Sequence, residues 1–211
     1  MIVYNDTFTD TAGTLLTAHV GETGAVYSID NQEGTQNGVI TDQNRLRARN
    51  GDGNFYALAS GVPLVADITM TATFYCKTVR VSQFTGFTCR DNNNIGSRDL
   101  IRVLYQGGAP AQWILEKRVA GVLTQLGNFL QDLSADTAYA VVLTVIGDTK
   151  TLLIDGVQRI QVTDAAVSAK GRLGIYFFDD DGATPPSDSN GVQIANITAE
   201  TAGQVFLLMR P

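Results

Sequence analysis

Residues 137–178 constrain the fold more than any other stretch of this chain. Residues 139–146 read Tyr-Ala-Val-Val-Leu-Thr-Val-Ile, β-branched and apolar, the composition of a buried strand. Gly147-Asp148 turns the chain, and residues 150–154 make a second strand. Asp155-Gly156 follows. This dipeptide between two apolar runs is a strong hairpin signal, because a type I′ turn needs positive φ at both central residues. Residues 157–162 return with Val157, Ile160 and Val162 at near-alternate positions, and residues 171–178 re-enter the core. The stretch predicts an antiparallel meander, with the rest of the chain supplying the sheets that cover it.

Upstream, short strands are punctuated by Gly, Asn and Pro. Residues 64–78 carry the longest signal. Val65, Ile68 or Met70, Ala72, Phe74 and Cys76 nearly alternate with Asp67, Thr69, Thr71, Thr73 and Tyr75, as in a strand with one buried and one wetter face. Residues 84–89, 100–105, 112–119 and 122–126 are further strands, and 129–133 fits a strand or a helical turn. Residues 179–191 form the longest loop, and 192–200 a closing strand. There is no long amphipathic helix and no repeat. This spacing predicts an all-β, antiparallel two-sheet sandwich in a single domain over residues 1–200, followed by a C-terminal apolar arm or extra strand over 201–211.

Composition narrows the function classes. In 211 residues, 44% apolar and 17% charged, the formal net charge is −6 and the basic residues are scattered. That balance argues against nucleic acid, whose phosphates demand clustered Lys and Arg. The densest basic group, Arg45, Arg47 and Arg49, shares one face of a strand and reads as solvated. No apolar run reaches the ~18 residues of a membrane helix. The first residues lack the basic and apolar regions of a signal peptide, so synthesis in a cytoplasm is expected, with Cys76 and Cys89 as buried thiols.

Several residues are candidates for chemistry. The four glutamates, Glu22, Glu33, Glu116 and Glu200, are too far apart in sequence to form one strand's pair of catalytic carboxylates. Glu116, beside Lys117 and Arg118, reads as a surface residue. His19, the single histidine, has no nucleophile motif and reads as structural. Asp179 and Asp181, in an acidic loop with Asp188 and Asn190, are either solvated or ligands of calcium, the one cofactor in view. Trp113 and Tyr105, on neighbouring strands around residues 107–110, are either core or a stacking platform for a glycan. The apolar run Val205, Phe206, Leu207, Leu208 and Met209 reads either as one more strand of its own domain or as an arm that joins a neighbouring subunit by strand addition.

Two groups of short motifs carry a family resemblance. Near the start are Asp6-Thr7-Phe8, Gly13-Thr14-Leu15, His19, Gly21, Gly24 and Val26. Later come residues 152–156 ending in Asp155-Gly156, then Gly171-Arg172-Leu173-Gly174-Ile175-Tyr176, then the closing strand. In this order they resemble the concanavalin A-like lectin/glucanase jelly roll, laminin G-like modules included, most of all the versions in bacteriophage virion structural proteins. The resemblance implies a jelly-roll sandwich and a histidine that fixes the backbone of its loop. Glycosidases of this class carry a Glu-x-Asp-x-Glu strand, which is absent here, so no enzymatic activity is expected. The resemblance further implies a non-enzymatic decoration, head or tail-associated virion protein, a homo-oligomer acting through subunit contacts or contacts to a capsid or tail protein. The alternative it implies is a carbohydrate-binding, lectin-like module that attaches to host or environmental glycans.

Overall fold

Strict alternation in the sequence becomes strict alternation in space. The structure, a computed structural model, describes residues 1–30, 37–49, 52–94, 96–180 and 187–202. Its strands are β1 (Ile2–Asp6), β2 (Val26–Ile29), β3 (Gly38–Ile40), β4 (Leu46–Ala48), β5 (Asp52–Ser60), β6 (Ile68–Thr78), β7 (Gln83–Asp91) and β8 (Leu100–Gln106). There follow β9 (Gln112–Val119), β10 (Val122–Leu130), β11 (Thr137–Ile146), β12 (Thr149–Ile154), β13 (Val157–Thr163), β14 (Arg172–Asp180) and β15 (Gly191–Thr201). Along β6, Ile68, Met70, Ala72, Phe74 and Cys76 are buried while Thr69, Thr71, Thr73 and Tyr75 face outward. Residues 64–67 lie outside this strand; Val65 bridges to Gly171, and Ala66 and Asp67 accept hydrogen bonds from Arg90.

The strands form two antiparallel sheets. The first runs β13-β12-β11-β6-β15-β4-β3, with β1 also on β15. Because β6 occupies one side of β15, β1 and β4 sit end to end along the other, β1 against residues 197–200 and β4 against Ile194. The second sheet runs β10-β9-β8-β7-β14-β5-β2.

The expected meander holds for three strands and then breaks. β11, β12 and β13 are consecutive hairpins, and Asp155 and Gly156 have φ of 51° and 75°, as the Asp-Gly turn requires. β14 instead crosses to the second sheet, between β5 and β7. Both of its faces are apolar, Leu173, Ile175 and Phe177 inward and Tyr176 and Phe178 outward, a pattern that suits a central strand with neighbours on both sides. The crossing is tight: a Cβ on Gly171 would fall 2.3 Å from the Arg90 carbonyl carbon. Residues 122–126 and 129–130, read separately in the sequence, are one continuous strand, β10, with a bulge between Gln125 and Gly127.

The core lies between the sheets. Phe74 of β6 meets Phe87 of β7 at 6.1 Å and stands edge-on to Trp113 of β9 at 5.1 Å between ring centres. Cys76 and Cys89 are free and buried. Burial raises their pKa values to about 11 and about 12, so both are unreactive thiols. Among the described residues, no helix is long and apolar enough to cross a membrane.

Candidate functional site

A second apolar cluster lies on the outer face of the second sheet, away from the core. Tyr56, Leu58, Leu100, Leu104, Ile114 and Tyr176 pack there with the half-buried rings of Phe84 and Phe178. Registers across β5, β14, β7, β8, β9 and β10 align the outward side chains in rows. One row holds Asn54, Phe178, Phe84, Gln106, Gln112 and Leu130. The next holds Tyr56, Tyr176, Gly86, Leu104, Ile114 and Asn128, and the third Leu58, Gly174, Thr88, Arg102, Glu116 and Gln125. Gly86 is obligatory in its row: a Cβ there would stand 2.1 Å from the Val103 carbonyl oxygen.

These rows frame a groove of about 380 Å³, within the ~300–1,000 Å³ typical of small-ligand clefts. One side is aromatic. Phe84 and Phe178 meet edge to face at 5.5 Å, and Tyr176 donates its hydroxyl to Asn54 Oδ1 at 2.9 Å. Beside the groove, on the same sheet face, runs a ladder of amides. Gln112 Nε2 donates to Gln106 Oε1 at 2.9 Å, Asn128 Nδ2 to Gln112 Oε1 at 2.8 Å, and Gln125 Nε2 to Asn128 Oδ1 at 3.4 Å. This chain of amides carries both donors and acceptors and no net charge. In the groove itself, Arg102 Nε donates to Glu116 Oε1 at 2.6 Å while its guanidinium lies 4.3 Å from the centre of the Tyr176 ring.

Glu116 is therefore a mostly buried partner of Arg102 in the groove, not the solvated surface residue its neighbours suggest. Among the described residues it is the one carboxylate lining the groove. The arrangement offers stacking surface and hydrogen bonds, and among those residues it lacks the second carboxylate that glycosidic hydrolysis uses.

The residues proposed from sequence fall elsewhere. Trp113 and Tyr105 lie on the inner face, 0% and 1% exposed, their rings 5.0 Å apart. Neither ring faces solvent, so of the two readings core holds and the glycan-stacking platform does not; alternation sends residues 105 and 113 inward and 104 and 114 outward. Asp179 is buried, and its Oδ1 accepts from Arg80 Nη2 at 3.0 Å, an ion-pair role in place of a solvated or calcium-binding one. Asp181 and the run from Val205 to Met209 lie outside the described residues. No cluster of three or more His, Cys, Asp or Glu suited to a metal occurs among the described residues.

His19 is structural, through side chains instead of backbone. Its Nε2 lies 3.0 Å from Asp6 Oδ1 and its Nδ1 3.2 Å from Asp10 Oδ2. The buried Asp6 carboxylate also accepts from Tyr27 and from the Phe8 N–H, and Tyr27 meets Tyr4 hydroxyl to hydroxyl. Of the Arg45, Arg47 and Arg49 trio, Arg45 covers the Tyr75 ring at 3.4 Å and Arg47 pairs with Asp188 at 2.7 Å.

No protein-family model matches this sequence, and no curated protein matches it. Solved structures do resemble it. The carbohydrate-binding module CBM66 from Bacillus subtilis aligns with a TM-score of 0.55 and 16% identity, over 72% of this chain and 92% of that one. A glycosyl hydrolase family 16 protein from Mycobacterium smegmatis aligns with a TM-score of 0.65 and 8% identity, over 95% of this chain and 100% of its own. The β-glucanase of Bacillus licheniformis aligns with a TM-score of 0.57 and 9% identity, over 93% and 96%. Nothing in these likenesses bears on a capsid, a tail or a virion. What they share with this chain is its architecture: it adopts the concanavalin A-like jelly-roll sandwich.

Proposed function

We propose that this protein is a non-catalytic carbohydrate-binding module that takes a glycan across the outer face of its second sheet. One observation carries the reading: an aromatic groove lined by Phe84, Phe178 and Tyr176 lies on the same sheet face as an uncharged ladder of amides beside it, Gln106, Gln112, Asn128 and Gln125. A sugar ring presents an apolar C–H face and a rim of hydroxyls. The rings suit the face, and the amides, each both donor and acceptor, suit the rim. The fold likeness to a carbohydrate-binding module and to glucanases supports the same reading.

The surroundings of Glu116 support a binding role without hydrolysis. A general acid must hold a proton and a nucleophile must stand free, whereas Glu116 is ion-paired with Arg102 and has no second carboxylate beside it among the described residues. The test is retention on immobilised β-glucan and on mucin O-glycans, together with an assay for new reducing ends. Retention without new reducing ends is expected. Release of reducing ends would make the protein an enzyme, and no retention on any glycan would remove the reading.

A further inference from the structure

β10 is the terminal strand of the second sheet, paired on one side with β9. Natural edge strands are protected by charge, proline or brevity. β2 and β3 are four and three residues long, β13 carries Arg159, and the Thr7 and Asn5 N–H groups of the β1 edge are taken by Glu22 and Thr23. Among the described residues β10 has none of these three, its one irregularity being the bulge at Leu126. Its nine residues include no charge and no proline, and Val122, Leu123 and Leu130 are 67%, 47% and 60% exposed.

The free hydrogen-bonding groups of β10 can be assigned. At one end, Ala120 and Gly121, both at positive φ, form a two-residue turn that closes the Val119–Val122 pair. At the other, Gln131 N donates to Ala111 O at 3.1 Å. Alternation between these ends, shifted by the bulge at Leu126, turns the backbone N–H and C=O of Leu123, Gln125, Asn128 and Leu130 toward the open edge. Their cross-strand partners are Arg118, Glu116, Ile114 and Gln112, so all four side chains lie on the outer face.

Leu, Gln, Asn, Leu has the same polarity read from either end. We infer that β10 is the site at which a second copy of this chain adds, antiparallel, about a two-fold axis passing between Leu126 and Gly127. That axis sets Leu123 opposite the partner's Leu130 and Gln125 opposite the partner's Asn128, each twice. Every one of these residues presents its backbone groups to its opposite, the condition for hydrogen-bonded pairs. Apolar side chains meet apolar and amides meet amides, the self-complementarity that an isologous interface demands. The second sheets of the two copies become one continuous sheet. Directly opposed residues share a face, so both grooves open on the same side, a geometry that lets one polymer engage both. The pairing itself does not depend on what the grooves bind.

The experiment is the molar mass of the whole chain by sedimentation and light scattering. Wild type is expected at twice the chain mass. Leu123→Lys sets a lysine against the partner's Leu130 at both ends of the interface and is expected to halve the mass while leaving the thermal midpoint close to wild type. Leu123→Lys with Leu130→Glu restores the dimer, because each lysine then faces the partner's new carboxylate. Leu123→Lys with Asn128→Glu stays monomeric, because the register does not bring those positions together. A monomeric wild type overturns the inference. So does a dimer that survives Leu123→Lys but is lost when residues 203–211 are removed, which would assign the contact to that segment.

Discussion

Arg102 and Glu116 stand opposite each other on β8 and β9, and the hydrogen bond between them, 2.6 Å from Nε to Oε1, fixes the guanidinium over the Tyr176 ring. Both residues line the groove, Arg102 against the Tyr176 ring and Glu116 as its carboxylate, so each member has a separable role. Glu116→Gln keeps the shape and one acceptor for Arg102 and should change glycan affinity less than about threefold, under 1 kcal/mol. Arg102→Ala uncovers Tyr176 and leaves Glu116 without this partner in a mostly buried site, a loss of about 1–3 kcal/mol in stability. Affinity should fall about tenfold or more. Paired binding and melting measurements on the two variants check this; equal effects would mean that the charge, not the geometry, matters.

Trp113 is fully buried between Phe74 and Tyr105, at ring-centre distances of 5.1 Å and 5.0 Å. Trp113→Ala is expected to cost about 3–5 kcal/mol, the usual range for deleting a large core aromatic. In a domain of this size the melting temperature should fall on the order of 10 °C. A variant that melts like wild type and loses only glycan binding would return Trp113 to the surface.

These two cases show what was legible in the sequence. Period-two alternation marks β6 and β13, an apolar β-branched run marks β11, and the Asp155-Gly156 dipeptide marks the turn between β12 and β13, because those signals are local. The partner of β14 was not legible, since its outward Tyr176 and Phe178 gain meaning only beside Phe84 of β7 and Asn54 of β5, ~90 and ~120 residues away in the chain. The sequence does carry one signal for the groove. Ile-Tyr-Phe-Phe in β14 is apolar on both faces, and one of those faces cannot belong to the core. Trp113 and Tyr105 stay open between core and platform in the sequence, because the facing of β8 and β9 is fixed only by pairing with their neighbours, which turns both inward.

The His19 site makes stability depend on pH. Burial disfavours the imidazolium, but hydrogen bonds and charge from Asp6, then Asp10, outweigh it, so folded His19 titrates above the ordinary value of 6.5. A raised folded pKa stabilises fully below that unfolded value and fades as pH rises through the folded one. Asp10, held low chiefly by its hydrogen bond to His19, contributes above its ordinary value of 3.8 and ceases to contribute in stronger acid. Melting should therefore be higher near pH ~5.5 than near pH ~8.5, and His19→Gln should shrink that difference. A wild-type profile that His19→Gln leaves unchanged would contradict the assignment.

Asp179 and Arg80 form a buried ion pair at 3.0 Å, with side chains 1% and 6% exposed. Breaking such a pair from one side costs about 3–5 kcal/mol, so Asp179→Asn should lower the melting temperature clearly. Adding calcium or a chelator should leave wild-type melting unchanged, because Arg80 holds the carboxylate. A calcium-dependent rise in melting that Asp179→Asn abolishes would show a cation at this residue.

The central claim is that the outer face of the second sheet binds glycans through rings on one side and amides on the other. The most direct test is binding of the whole chain to immobilised β-glucan and mucin O-glycans, wild type beside Phe178→Ala and Gln112→Ala. The account predicts that wild type binds at least one of these and that each variant weakens binding about tenfold, with melting temperatures within a few degrees of wild type. Binding that both variants leave intact, or no binding by wild type, would contradict it.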